Sequence, residues 1–189
     1  MSLRRFHYGF KTSDYLWKSY TTRSLGFRFD CGRKVSITKG AQVQQIAPSL
    51  DNSGKFFYWE EESLRLIEQA NAILIASPVF RGSIPAILKE LLDLLPVGSL
   101  RSKPVGLFVV GNAAEHYLGV ERHITDILSW FGALYVPATC YFTAPSLNDG
   151  IPARNMSQIV QLVDSALVLS QSLPDIQLGP PPLAEVHGR

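Results

Sequence analysis

From residue 41 onward, apolar and polar positions fall into blocks, each carrying the period of one structural element. Ala41–Ile46 (AQVQQI) alternates, which predicts a short strand, and a loop follows through Pro48 and the turn residues Asn52-Ser53-Gly54. Trp59–Ala70 predicts a helix, with Leu64, Ile67 and Leu66 on its apolar side. Ala72–Ala76 (AILIA) is a continuous apolar run, the pattern of a strand covered on both faces. Pro85–Leu95 predicts a helix with its proline in the first turn, where the missing N–H costs nothing. Pro104–Val110 (PVGLFVV) predicts a second buried strand, and Ala114–Phe131 a helix stopped by Gly132. Leu134–Phe142 predicts a third apolar strand, with Pro137 arguing for a sheet edge. Asn155–Leu173 closes the series as an amphipathic helix.

Strands alternating with helices imply βαβ units: a parallel sheet with helices on both faces, three layers αβα. Four strands are expected near 41–46, 72–77, 104–110 and 134–142, and right-handed crossovers make a five-stranded doubly wound sheet the simplest completion. Residues 1–173 are expected to form this single domain. The tail, 174–189, contains Pro180-Pro181-Pro182 and no periodicity, and is expected to be disordered or an arm on a neighbour. The chain carries no internal repeat.

The 189 residues suffice for one sizeable core, and 46% hydrophobic with 18% charged residues is ordinary for a globular protein. A net charge of +2 with scattered Lys and Arg gives no nucleic-acid footprint. The two cysteines, Cys31 and Cys140, lack a CxxC partner or a histidine at ligand spacing, so neither structural zinc nor a disulfide framework is expected. No apolar run approaches the roughly 18 residues of a membrane span, and the basic start lacks the apolar stretch of a signal peptide. The chain reads as cytoplasmic.

In an open parallel sheet, ligands bind beyond the carboxyl ends of the strands. Two such ends are informative. Ser77-Pro78-Val79-Phe80-Arg81-Gly82-Ser83 offers an aromatic ring, a guanidinium and small residues that can edge a planar heterocycle. Gly111-Asn112-Ala113-Ala114-Glu115-His116 offers small residues against which a flat ring can approach the backbone. Taken alone, Phe80 is as well read as a loop anchor and Gly111 as a strand-to-helix turn. His116 and His123 read as ordinary surface or interface histidines.

Together with Leu88–Pro96 (LKELLDLLP) and Leu100–Val105 (LRSKPV), these stretches resemble the NADPH-dependent FMN reductases, flavodoxin-like proteins, especially those paired with flavin-dependent alkanesulfonate monooxygenases. The resemblance implies an NAD(P)H:FMN oxidoreductase that moves hydride from NADPH or NADH to flavin. Reduced flavin would then pass to a partner monooxygenase or another acceptor. It implies FMN as cofactor, with Pro78, Val79, Phe80 and Arg81 along one side of the isoalloxazine and Gly111, Asn112 and Ala113 along the other. Phe80 stands where the family usually has Tyr, and Asn112 where it has a second glycine. No catalytic residue is expected, because the cofactors carry the chemistry and the protein sets geometry. A homodimer or homotetramer is expected, since Ile84–Leu95 is apolar around more of its circumference than one sheet consumes.

Residues 1–40 do not continue this pattern. They hold nine Lys and Arg against Asp14 and Asp30, with neither the strongly apolar first strand nor the glycine-rich phosphate loop that the resemblance implies. The interior position beside the 41–46 strand is therefore expected to be unfilled. Thr21-Thr22-Arg23-Ser24 could touch a phosphate but has no glycine to wrap it. Back-translation of Leu16-Trp17-Lys18-Ser19-Tyr20, read from the second base of the leucine codon, forces a glycine codon (GGA) across Trp17 and Lys18. The flanking codons permit Ser-Gly-Ser-Pro, and Ser13-Asp14-Tyr15 permits an apolar strand end. Two readings of 1–40 follow: a frame-shifted flavin-reductase N-terminus, or a diverged extension. The corresponding alternative function is a non-catalytic oligomeric scaffold that no longer binds flavin.

Overall fold

The computed structural model describes residues 5–9, 41–46, 49–50, 57–143, 153–173, 176–181 and 186. In chain order these form β1 (Arg5–Gly9), β2 (Gln42–Ile46), β3 (Ser49–Leu50), β4 (Phe57–Tyr58), α1 (Glu61–Gln69), β5 (Ala72–Pro78) and α2 (Ala86–Leu94). There follow β6 (Pro104–Gly111), a 3-10 turn (Ala114–His116), α3 (Tyr117–Trp130), β7 (Leu134–Tyr135), β8 (Cys140–Thr143) and α4 (Ala153–Ser172). The main sheet has six strands in the order β2-β1-β5-β6-β7, with β8 also on β6, and every pairing in it is parallel. This is the parallel α/β arrangement that the alternating blocks predict, and the flavodoxin-like one that the resemblance implies.

Each face of the sheet is set by the two-residue period of its strands. Ile73, Ile75, Val105, Leu107 and Val109 face one way and pack with Ile67 of α1, Leu88, Leu91 and Leu92 of α2, and Val120, Ile124 and Leu128 of α3. Leu74, Ala76, Phe108 and Val110 face the other way and pack on Ile159, Leu162, Val163 and Ala166 of α4. β5 and β6 are buried along their whole length, as continuous apolar runs require. Trp59 is buried just before α1 and its indole N–H donates to the Ile87 carbonyl at 3.0 Å, tying the start of α1 to α2. Lys103 caps the other end of α1, its ammonium donating to the Ile67 and Glu68 carbonyls. Burial brings its pKa down to about 8.

The structure departs from the sequence expectations in four places. The interior position beside β2 is filled: Arg5–Gly9 pairs there with both β2 and β5, in register Phe6↔Val43 and Phe6↔Ala72. The strand expected over 134–142 is two strands, because Pro137 lacks a backbone donor and Ala138 turns with φ +68°. The edge placement of that segment holds among the described residues. The loop after residue 46 contains a small antiparallel ribbon, Ser49↔Tyr58 and Leu50↔Phe57, off the main sheet. Part of the tail lies on its own chain: the Leu178 N–H donates to Ser102 Oγ at 2.8 Å and Arg101 reaches the Gly179 carbonyl at 3.5 Å. Residues 10–40, including Thr21–Ser24 and Cys31, lie outside the described residues. Within the Ile84–Leu95 segment, Ile84, Leu88, Leu91, Leu92 and Leu95 are buried, whereas Leu94 is exposed.

Candidate functional site

β5 and β6 end side by side, in register Pro78↔Val110. The Val79 N–H continues the ladder to the Val110 carbonyl at 2.8 Å, so the two loops expected to edge a ring leave the sheet together. Beyond Val79 the first loop closes into a two-residue turn: Phe80 and Ser83 exchange both backbone hydrogen bonds, at 2.8 and 3.0 Å. Such a turn demands positive φ at both central residues, and Arg81 (φ +51°) and Gly82 (φ +77°) supply it. For arginine that conformation costs on the order of 1 kcal/mol. A non-glycine residue held there marks this loop as over-determined by its surroundings.

Those surroundings come from α3. A side chain at Gly119 would approach the Gly82 carbonyl to 2.8 Å, so the helix backbone lies directly against the turn. One helical turn further on, His123 Nδ1 and Ser83 Oγ are hydrogen-bonded. The turn carries Phe80 outward, 46% exposed, and Arg81 is exposed beside it. Pro78 is buried and Val79 half-buried.

On the second loop, Gly111 is buried, Asn112 exposed and Ala113 half-buried. The space a side chain at Gly111 would take is filled by the Tyr141 hydroxyl, with Val79 Cγ2 3.3 Å from the same point. Tyr141, on β8, donates from that hydroxyl to the Ala113 carbonyl at 2.5 Å. Its ring meets Tyr117 edge-on, centroids 5.6 Å apart at 69°. Behind it lies a small polar cluster. The Glu121 carboxylate accepts from the Tyr117 and Tyr135 phenols and from the Thr139 N–H, and Tyr135 also bonds Thr139 Oγ1 at 2.9 Å. Desolvation acts to raise the Glu121 pKa, but the combined hydrogen bonds outweigh it and hold the carboxyl below its usual range. The bond to Glu121 lifts Tyr117 to about 12, and burial together with Glu121 pushes Tyr135 up as well.

The structure thus brings the two expected loops together, with Pro78, Val79, Phe80 and Arg81 on one side and Gly111, Asn112 and Ala113 on the other. Sequence reasoning missed Gly119, Tyr141 and the engagement of His123; the hydrogen bonds of the last two span 28 and 40 residues. The side chain of His116 lies outside the described residues. Among the described residues no group of three or more His, Cys, Asp or Glu could hold a metal, and no helix is long and apolar enough to cross a membrane. An exposed phenyl ring, a guanidinium and an amide around small backbone positions fit the edge of a planar, polar-rimmed heterocycle such as a flavin.

Residues 54–146 match the family described as NADPH-dependent FMN reductase. The chain is similar to the NADH-dependent FMN reductase SfnF of Pseudomonas fluorescens, 36% identical over 89 residues, which are 47% of this chain and 48% of that one. It is also similar to an FMN reductase (NADPH) of Pseudomonas aeruginosa, 39% identical over 75 residues, 40% of each chain. The matched stretch thus spans about half the length of these relatives. Among solved structures, an apo NADH:FMN oxidoreductase (EmoB) superposes with a TM-score of 0.68 over 93% of this chain and 92% of its own, at 15% identity. A flavodoxin from the domain Archaea gives 0.59 over 88% and 99%, at 14% identity. These two likenesses establish the shared fold.

Proposed function

We propose that this protein is an NAD(P)H-dependent FMN reductase. The observation that carries the reading is that the family match spans both strand-end loops, which β5 and β6 bring to one edge of the sheet. Pro78, Val79, Phe80 and Arg81 would edge the flavin ring from one side, and Gly111, Asn112 and Ala113 from the other. Bound FMN supplies a ring that accepts hydride from nicotinamide, a transfer that requires no protein acid or base. The chain's own work is to orient the ring: the Arg81-Gly82 turn is pinned by α3, and Phe80 stands outward from it. The nicotinamide donor is NADH or NADPH, since relatives named for each are similar to the matched stretch. Reduced flavin would pass to a partner monooxygenase or another acceptor in the cytoplasm. The working form would be a homodimer or homotetramer joined through the Ile84–Leu95 helix, where Leu94 is exposed.

The sequence of residues 1–40 favours a second reading, a flavodoxin-like oligomeric scaffold that no longer holds flavin. That stretch has no glycine-rich loop for the phosphate. FMN titration monitored by flavin fluorescence, with nicotinamide oxidation in parallel, separates the two. Under the reductase reading the protein binds FMN. Phe80→Ala should then weaken binding about two- to tenfold through lost ring contact, and Asn112→Trp should weaken it further by bulk. Unchanged affinity in both variants removes the assigned site, and absent binding with absent turnover supports the scaffold.

A further inference from the structure

Tyr141 lies outside both loops in sequence, yet its hydroxyl sits where they meet. Gly111 has no side chain to displace it, Val79 from the first loop closes on the same point, and the Ala113 carbonyl of the second loop accepts its proton. Ala113 is extended (φ −135°, ψ 153°) and is the last residue before the 3-10 turn that leads into α3. A bond to its carbonyl therefore fixes the peptide at which the chain leaves β6 for that helix. A carbonyl only accepts, so Tyr141 must be protonated for the contact to exist. Burial, followed by the nearby Glu115 charge, raises its pKa and keeps the proton on the phenol. The ring is braced in turn by Tyr117, whose own hydroxyl is held by Glu121.

We propose that Tyr141 is a positioning residue of the flavin site: its hydroxyl, seated on Gly111 and bonded to Ala113, holds the 111–113 turn against the Val79 loop in the form that receives the ring. The proposal rests on the flavin-reductase reading for its ligand and on these contacts for its geometry. Gly111 is then glycine because a phenol occupies its side-chain space, and a methyl group there would push the two loops apart.

The test uses the full chain with FMN and NADPH, comparing Tyr141→Phe, Gly111→Ala and the double variant. Tyr141→Phe keeps the ring and removes one hydrogen bond, so KM for FMN should rise about three- to tenfold, with kcat and KM for NADPH nearly unchanged. Gly111→Ala should impair FMN binding in the parent and do less harm in the Tyr141→Phe background, where the missing oxygen opens the contested space. Amide hydrogen exchange of residues 112–115 without flavin should quicken in Tyr141→Phe, while that of β5 stays slow. Unchanged KM and unchanged exchange would overturn the proposal, as would a lower melting temperature with no KM split. Tighter FMN binding in Tyr141→Phe would overturn it too, by making the phenol an occupant of the ring's place. A parent protein that neither binds FMN nor oxidises nicotinamide defeats the reductase reading, and the exchange data still decide whether Tyr141 holds the turn.

Discussion

β1 and β6 are both interior strands of one sheet, each with parallel neighbours on either side, yet they follow different sequence rules. β6 reads PVGLFVVG and is buried at every position, so its side chains alone identify it. β1 reads RFHYG, with an arginine and a histidine in five residues. Its place rests on the backbone: β2 and β5 each offer an open row of donors and acceptors, and a short strand between them satisfies both. A strand can therefore be placed by its neighbours' demand while its own residues resemble nothing selected for that position. The Arg5–Gly9 segment completes the sheet.

The widest break in that comparison would come from the gene. If much of codons 1–40 is read one base out of register, with the frame restored near Lys39-Gly40, correcting it replaces this stretch with one containing the glycine forced by Trp17 and Lys18. The corrected protein should bind FMN about a hundredfold more tightly or better, because each charge-assisted bond to a phosphate contributes roughly 1.5–3 kcal/mol. Fluorescence titration of both proteins measures this. Equal affinities would establish residues 1–40 as a true extension.

Next in size is the contribution of each strand to stability. Phe108→Ala in β6 removes a ring that is 2% exposed and should cost about 3–5 kcal/mol in denaturant unfolding. Val43→Ala in β2, the outer neighbour of β1, removes a half-buried side chain and should cost about 1 kcal/mol or less. Similar losses from the two would mean that the outer side of the sheet carries as much packing as its middle.

The smallest effect concerns pH. The Glu121 carboxyl is held below its ordinary value of 4.5, so its stabilising bonds are fully present above that value. They are lost as pH falls through the lower folded pKa, where the unfolded chain has already taken up the proton. The melting temperature of the parent should therefore fall more steeply on acidification below 4.5 than that of Glu121→Gln. Parallel curves would show that the Tyr117–Tyr135 cluster does not depend on the charge.

Much of the fold was legible because β5, β6 and α2 advertise themselves in unbroken apolar runs or helical spacing, and α4 in its amphipathic stripe. The loops of the site were legible too, since strand ends in a parallel sheet are where ligands go and Phe80, Arg81 and Gly111 fall there. What could not be read were contacts across long separations. Nothing local to Gly119 announces the Gly82 carbonyl, and nothing in CYFT reveals that Tyr141 fills the space above Gly111. β1 escaped because pairing placed it, and pairing has no sequence period of its own. The division of 134–142 was half legible: Pro137 signalled an edge, but the left-handed Ala138 that completes the break has no signature in an alanine.

That break in the outer strand also governs how copies of the protein can meet. An intact strand on the outer side of β6 would present a regular row of backbone donors and acceptors onto which another molecule's strand could add, the route to open-ended aggregation. Here the row is interrupted after two residues by a proline without an N–H and a residue turned through positive φ, and it resumes for only four. On this side of the sheet the broken row is a poor template for strand-to-strand growth.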